Sequence, residues 1–263
     1  MGVSPVNVVS IVNQKGGVAK TTTTANLGAC LAARGLHTLL IDMDPQANLT
    51  LGLRAEGTPR AYGLHDVLLS PDTHPMSGVI RQVGELPLYI APGHMEMARC
   101  EAMLMPLGGS AYRLARALEA LRETHPFDWI LIDCPPSLST LTQNAIVAST
   151  DLLIPTEPKF YSFAGIDTLN KMIVGLTRDL RFQVRLLGVL LTLCDRGTNL
   201  SRTITAEIRE RFGDRVFETV IYKNVRLAEA EVEGEPIILF DKRSTGAQNY
   251  VALTEEVLKR ACT

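Results

Sequence analysis

The run Val6-Asn7-Val8-Val9-Ser10-Ile11-Val12 passes without a break into Asn13-Gln14-Lys15-Gly16-Gly17-Val18-Ala19-Lys20-Thr21-Thr22, and a helix-forming stretch over 21–34 follows. A short strand, a glycine-rich turn and a helix N-terminus in that order make an anion cradle. Gly16 and Gly17 let backbone N–H groups turn toward an anion, and the helix end adds partial positive charge. Lys20 can then reach the β- and γ-phosphates of a nucleotide, and the Thr21 hydroxyl is placed to face Mg²⁺. One position departs from the G-x-x-x-x-G-K-[ST] pattern: Ala19 stands where the last glycine is expected. A methyl is tolerated there if the backbone at Ala19 has negative φ.

Four further stretches are apolar without alternation: Thr38-Leu39-Leu40-Ile41, Trp129-Ile130-Leu131-Ile132, Leu152-Leu153-Ile154 and the run over 186–193. Strands apolar on both faces belong in a parallel sheet that is covered by helices on each side. Helical stretches fall between them at 112–124, 163–178 and 200–212, and another at 246–261 closes the chain. Strand and helix therefore alternate, the pattern of an α/β fold with a doubly wound, mostly parallel sheet. The stretch 54–87, with Pro59, Pro71 and Pro75, is the least regular and reads as an excursion from the sheet. A length of 263 residues suits one domain over 1–263.

Composition excludes several classes. Hydrophobic residues at 46% and charged residues at 21% are those of a globular chain, not of a disordered or fibrous one. The formal charge of −2 argues against a protein that coats nucleic acid or membrane by bulk charge. The charge is uneven, however: residues 171–226 hold 11 Lys/Arg against 6 Asp/Glu, and the rest of the chain 15 against 22. That basic zone is either a solvated face or a binding surface. The five cysteines are scattered and contain no CxxC, which fits a reducing cytoplasm better than a disulfide or zinc framework. No apolar run approaches the ~18 residues of a membrane helix, so no membrane role is expected.

Two strand ends carry carboxylates where a doubly wound sheet opens its ligand crevice. Leu39-Leu40-Ile41-Asp42-Met43-Asp44-Pro45-Gln46 ends one, and Ile130-Leu131-Ile132-Asp133-Cys134-Pro135-Pro136 the other. Asp133 suits the carboxylate that holds Mg²⁺ through water, and Asp44 is a candidate to orient the attacking water or accept its proton.

With these residues in order, the sequence resembles the ParA/Soj partition ATPases, within the deviant Walker A class of P-loop ATPases that also includes MinD and the nitrogenase iron protein. The resemblance rests on the extra lysine of Lys15-Gly16-Gly17-Val18-Ala19-Lys20-Thr21, on Asp42 to Gln46, on Asp133-Cys134-Pro135-Pro136-Ser137, on Gly188-Val189-Leu190-Leu191-Thr192 and on Asn224-Val225-Arg226-Leu227-Ala228-Glu229-Ala230. It spans nearly the whole chain. It implies an ATPase with Mg²⁺ and slow intrinsic turnover, whose ATP-bound form is a sandwich homodimer. Lys15 would cross to the partner's phosphates as a trans cation, Lys15, Lys20 and Asp44 would be catalytic, and the stretch from Lys15 to Thr22 would bind ATP.

Resemblance to the partition branch further implies nucleotide-dependent, sequence-independent binding of duplex DNA and hydrolysis stimulated by a ParB-like partner, for a chromosome or plasmid cargo. Arg226 matches a DNA-contacting position, whereas Asp195-Arg196-Gly197-Thr198 lacks the arginine that relatives carry where Gly197 stands. Arg196, Arg202 and Lys223 are further candidates for DNA. Ile221-Tyr222-Lys223-Asn224 replaces the family's Ile-Pro-Arg-Asn beside adenine, so Tyr222 and Asn224 are candidate nucleotide contacts, with Tyr222 either stacking on the base or packing in the core. Only a dozen residues precede the loop, which leaves no room for an N-terminal helix-turn-helix domain. A MinD-like membrane-cycling ATPase would need a basic amphipathic C-terminal helix, but the ending pairs two acids with two bases and reads as a docked helix. An iron–sulfur ATPase would need cluster cysteines, and the settings of Cys100 and Cys134 do not match.

Overall fold

In the computed structural model, which describes residues 6–57, 61–159, 162–195, 197 and 199–262, the apolar runs become neighbouring strands. β1 (Asn7–Ile11), β2 (Thr38–Asp42) and β5 (Trp129–Asp133) lie side by side in the order β2-β5-β1. Their residues divide by alternation: Val8, Leu39, Ile41, Ile130 and Ile132 serve one face, and Val9, Ile11, Leu40 and Leu131 the other. Both faces are buried, which is why these strands lack polar alternation.

β6 (Asp151–Thr156), β7 (Arg185–Cys194) and β8 (Val216–Tyr222) extend the sheet beyond β1. β4 (Leu88–Ala91) and β3 (Arg81–Gln82) extend it beyond β2. The full order is β3-β4-β2-β5-β1-β6-β7-β8, parallel throughout except for the β3–β4 pair. Sequence reading missed three of these strands. β3 and β4 are short, and β8 (Val-Phe-Glu-Thr-Val-Ile-Tyr) is an edge strand with the exposed Glu218 in its middle. The stretch 54–87 is not wholly an excursion: it contributes β3 and the helix α3 (Leu64–Leu69), whose Leu64, Val67 and Leu68 are buried in the core.

Each face has its own helical layer. One face is covered by α3, α4 (Glu96–Leu104), α5 (Arg113–Thr124), α6 (Thr140–Ala148), α7 (Ser162–Leu180) and α8 (Asn199–Phe212). The other is covered by α1 (Lys20–Ala32), α2 (Asn48–Gly52), α9 (Val225–Glu233), α10 (Ile237–Phe240) and α11 (Thr245–Ala261). Helix α11 is docked along its length. Tyr250, Leu253 and Val257 are fully buried, each stabilising the fold by roughly 1.5–3 kcal/mol. Arg260 in its last turn donates to the carbonyls of Leu187 (3.0 Å) and Val216 (2.9 Å) and lies 4.2 Å above the Phe217 ring. Glu256 accepts the backbone N–H groups of Glu218 (2.9 Å) and Thr219 (3.0 Å). The ending is therefore part of the core, as its balanced charge indicated. Among the described residues no helix is long and apolar enough to cross a membrane.

The chain leaves β1 for β2 on one side and returns through β5 to β6 on the other, so the strand order reverses around β1. That reversal opens a crevice at the carboxyl ends of β1, β5 and β2. Register aligns those ends: Ile11 pairs with Asp133, and Asp133 with Asp42.

Candidate functional site

The glycine-rich loop fills the crevice between β1 and α1, and three anchors hold it. The buried Asn13 side chain donates to the Pro155 carbonyl (2.7 Å) and accepts the Lys15 N–H (3.0 Å), tying the loop's entry to β6. Val18 is buried, and its carbonyl accepts the Thr192 hydroxyl of β7 (3.0 Å). The Ala19 carbonyl accepts the Thr23 N–H (2.9 Å), the first bond of the helix. Gly17 has φ +68 and Ala19 has φ +61, so Ala19 occupies the left-handed region, and the negative φ that would accommodate its methyl without strain is not adopted. The loop therefore uses glycine geometry at position 19 even though this chain carries alanine there, at a cost of roughly 1–2 kcal/mol.

Lys20 is 7% exposed, and its Nζ donates to the Lys15 carbonyl (3.2 Å). Burial lowers its pKa, while the charges of Asp133 and Asp44 oppose that shift. The Thr21 hydroxyl donates to Asp133 Oδ2 (2.7 Å), and the Thr24 hydroxyl to Asp133 Oδ1 (3.3 Å). Asp133 is fully buried; its desolvation, and then the nearby Asp42, push its carboxyl well above the usual carboxylate range. A hydroxyl and a carboxylate in contact are hard oxygen donors of the kind Mg²⁺ takes, and a divalent charge would relieve the crowding of Asp133 and Asp42. The pair Thr21 and Asp133 therefore fits a Mg²⁺ site.

The two aspartates that end β2 divide their work. Asp42 is fully buried and accepts from the Thr50 N–H (2.9 Å), the Thr50 hydroxyl (2.7 Å) and the Asp44 N–H (3.2 Å). Its pKa is raised, chiefly by burial. Gly93 closes over it, where a Cβ would stand 2.7 Å from Asp42 Cγ. Asp42 thus shapes the turn that carries Asp44. Asp44 is nearly buried and uses Oδ1 to accept the Gln46 N–H (2.9 Å). Its charge is felt at both Lys20 and Asp133, which puts all three in one electrostatic neighbourhood.

The Lys15 side chain reaches the residues just past β6. Its Nζ is 3.3 Å from Glu157 Oε2, and Lys159 Nζ is 2.8 Å from the same oxygen. Burial alone would raise the Glu157 pKa, but hydrogen bonds from Lys159 and Lys15 hold it below the usual range. Sequence reasoning passed over Glu157, Asn13, Thr24 and Thr192. Of these, only Asn13 carried a signal, its position directly after the strand.

The remaining candidates are dispersed. Tyr222 ends β8 and packs against the core on the α8 side. Asn224 caps α9, its side chain accepting the Arg226 N–H (2.9 Å). Arg226 bonds Asp241 (2.9 Å) and Glu229 (2.5 Å) and lies 4.7 Å above the Phe240 ring. Arg202 and Lys223 are exposed, and Arg196 lies outside the described residues. Cys100 and Cys134, weighed above as cluster ligands, are each 1% exposed, and among the described residues no group of three or more His, Cys, Asp or Glu is arranged to hold a metal.

Comparison with known proteins agrees with this geometry. A family model described as "AAA domain" matches residues 6–186. The chain is 42% identical over 250 residues to the sporulation initiation inhibitor protein Soj of Bacillus subtilis, covering 95% of this chain and 97% of that one. It is 40% identical over 261 residues to the chromosome partitioning protein ParA of Caulobacter vibrioides, covering 99% and 97%. Among solved structures, cobyrinic acid a,c-diamide synthase of Mycobacterium smegmatis with a bound ATP analog and magnesium superposes with a TM-score of 0.84 at 31% identity, covering 98% of this chain and 97% of that one.

Proposed function

Because the chain belongs to the ParA/Soj family of P-loop partition ATPases, we propose that it is a slow, Mg²⁺-dependent ATPase that dimerises around ATP. In this reading the dimer binds duplex DNA without sequence preference, on the nucleoid, and a ParB-like partner speeds hydrolysis and releases it. The observation that carries the reading is the gathering of Lys20, the Thr21–Asp133 contact and Asp44 at three aligned strand ends, with Lys15 beside them.

The loop N–H groups and Lys20 bind the phosphates, with Lys20 turning from the Lys15 carbonyl toward them. Thr21 and Asp133 hold Mg²⁺, which when bound neutralises phosphate charge. Asp44, held in place by Asp42 through the turn, orients the attacking water and takes up its proton. Lys15 leaves Glu157 and completes the partner's phosphate cage, linking assembly to nucleotide state. The docked α11 favours this reading over a membrane-cycling one, because a buried helix presents no free apolar face to lipid.

The test is retention of the full chain on random-sequence duplex DNA at fixed salt with no nucleotide, with ADP and with ATP. Retention with ATP alone supports the reading. Equal retention in all three states, or ATP-dependent capture by anionic vesicles in place of DNA, would overturn it.

A further inference from the structure

One anchor of the phosphate loop comes from far along the chain. Thr192 of β7 is fully buried, and its hydroxyl donates to the Val18 carbonyl (3.0 Å). The way β7 delivers that hydroxyl sets it apart from an ordinary strand contact.

Leu193, the next residue, has φ +52 although it lies within the ten-residue strand β7. A bulky residue in the left-handed region is a conformational outlier, and outliers of this kind collect at functional sites. The ladder slips at the same point: Leu191 pairs with Val220 and Cys194 with Tyr222, so β7 takes three steps where β8 takes two. The extra residue makes a β-bulge, a device that re-aims a neighbouring side chain. Alternation locates it independently. Val189 and Leu191 lie on the face covered by α3 to α8, and strict alternation would put Leu193 there next, yet Cys194 takes that face. Leu193 itself is half-buried and belongs to neither side of the core, so its own side chain does not offset the strain.

The Val18 carbonyl that Thr192 holds shares a planar trans peptide with the Ala19 N–H, and the two groups point to opposite sides of it. Holding the carbonyl against β7 therefore turns the Ala19 N–H away from β7. That N–H meets no acceptor among the described residues. We propose that Thr192 is a positioning residue for the nucleotide: the bulge at Leu193 keeps its hydroxyl on Val18, and the Ala19 N–H is thereby presented to a phosphate. Thr192 acts through the loop and not by contact with the nucleotide. The inference rests on the ATPase reading above and is independent of DNA binding.

The test compares the full wild-type chain with T192V, T192S, L193G, L193V and V257A, measuring the Kd for ATP and ADP with Mg²⁺, KM and kcat for hydrolysis, and Tm. T192V keeps the side-chain shape and removes the donor. It should weaken nucleotide binding and raise KM roughly tenfold, the loss of about one aligned hydrogen bond to a charged group, with kcat within about twofold. T192S restores the hydroxyl and should bind as wild type does. L193G takes the left-handed backbone freely and should keep its affinity, whereas L193V, β-branched and ill-suited to positive φ, should lose it as T192V does. V257A removes core packing on α11 and should melt lower with Kd and KM unchanged. Unchanged affinity in T192V, an equal loss in V257A, or failure of T192S to restore binding overturns the positioning role. Loss of affinity in L193G, with L193V unaffected, overturns the part given to the bulge. A wild-type chain that binds no nucleotide overturns the ATPase reading itself, whereas a wild type that binds, beside an unaffected T192V, overturns this inference alone.

Discussion

Replacing Ala19 by glycine should make the nucleotide-free protein more stable. Ala19 sits at φ +61 and ψ 36 at the N-cap of α1, with no side-chain capping bond. An L-residue in that region costs roughly 1–2 kcal/mol because Cβ crowds the following carbonyl. Glycine removes that cost but gains unfolded-state freedom worth about 0.4–1 kcal/mol. The net expectation is a stabilisation of ~0.5–1 kcal/mol. At ~2.1 cal/mol/K of unfolding entropy per residue, a chain of 263 residues converts this into a Tm rise of about 1–2 °C. The assay is calorimetric melting of wild type and A19G without nucleotide. G17A serves as the mirror control: Gly17 has φ +68 and no atom within 4 Å of an added Cβ, so only backbone strain acts there. Its Tm should fall by a similar amount. An A19G variant that melts at or below wild type, beside a G17A variant that does not fall, would refute the strain argument.

Three other outcomes follow from the same geometry. D44A should keep ATP-dependent dimers and lose turnover by ~10²–10⁴-fold in a phosphate-release assay; near-normal release would remove the role given to Asp44. K15Q should stay monomeric with ATP in analytical ultracentrifugation, and undiminished dimers would refute the trans-lysine role. For Glu256, burial acts to raise the pKa, but the N–H groups of Thr219 and Glu218 and the Arg260 charge hold it below its ordinary value. A depressed folded-state pKa stabilises the protein above the ordinary carboxylate pKa, and that gain is lost as pH falls through the folded value. E256Q should therefore cost about 1–2 kcal/mol in urea unfolding at neutral pH, with the difference closing in acid below about pH 4; a constant difference would show that the charge is immaterial.

The central strands were legible because burial on both faces requires uninterrupted apolar runs, as in Leu39-Leu40-Ile41 and Ile130-Leu131-Ile132. β8 was hidden because a strand at the edge of the sheet tolerates Glu218 in its middle, and β4 because four residues carry too little pattern. The phosphate loop was legible from spacing, since glycine and lysine there answer to the backbone of one short turn. The conformation of Ala19 was not, because the packing of the loop and not the residue type imposes its positive φ. The sequence pointed to Asp44 but gave Asp42 no part of its own. The two are distinguished by Thr50 and Gly93, which reach Asp42 from distant segments. Arg226 likewise could not be weighed without Asp241, fifteen positions away.

The carboxylate of Glu157 is shared by two lysines, and this bears on how readily the loop changes hands. A buried acid deprived of its only cation faces a desolvation penalty of several kcal/mol, which would lock Lys15 in place. Here Lys159 already stands at 2.8 Å, closer than Lys15 at 3.3 Å. Departure of Lys15 leaves Glu157 still neutralised, so the departing lysine gives up one contact of a shared pair and strands no charge behind it. Lys15 is thereby held in a defined position without a deep well, and in the proposed cycle its release toward a second subunit would be set by the nucleotide and that subunit, not by the cost of letting go.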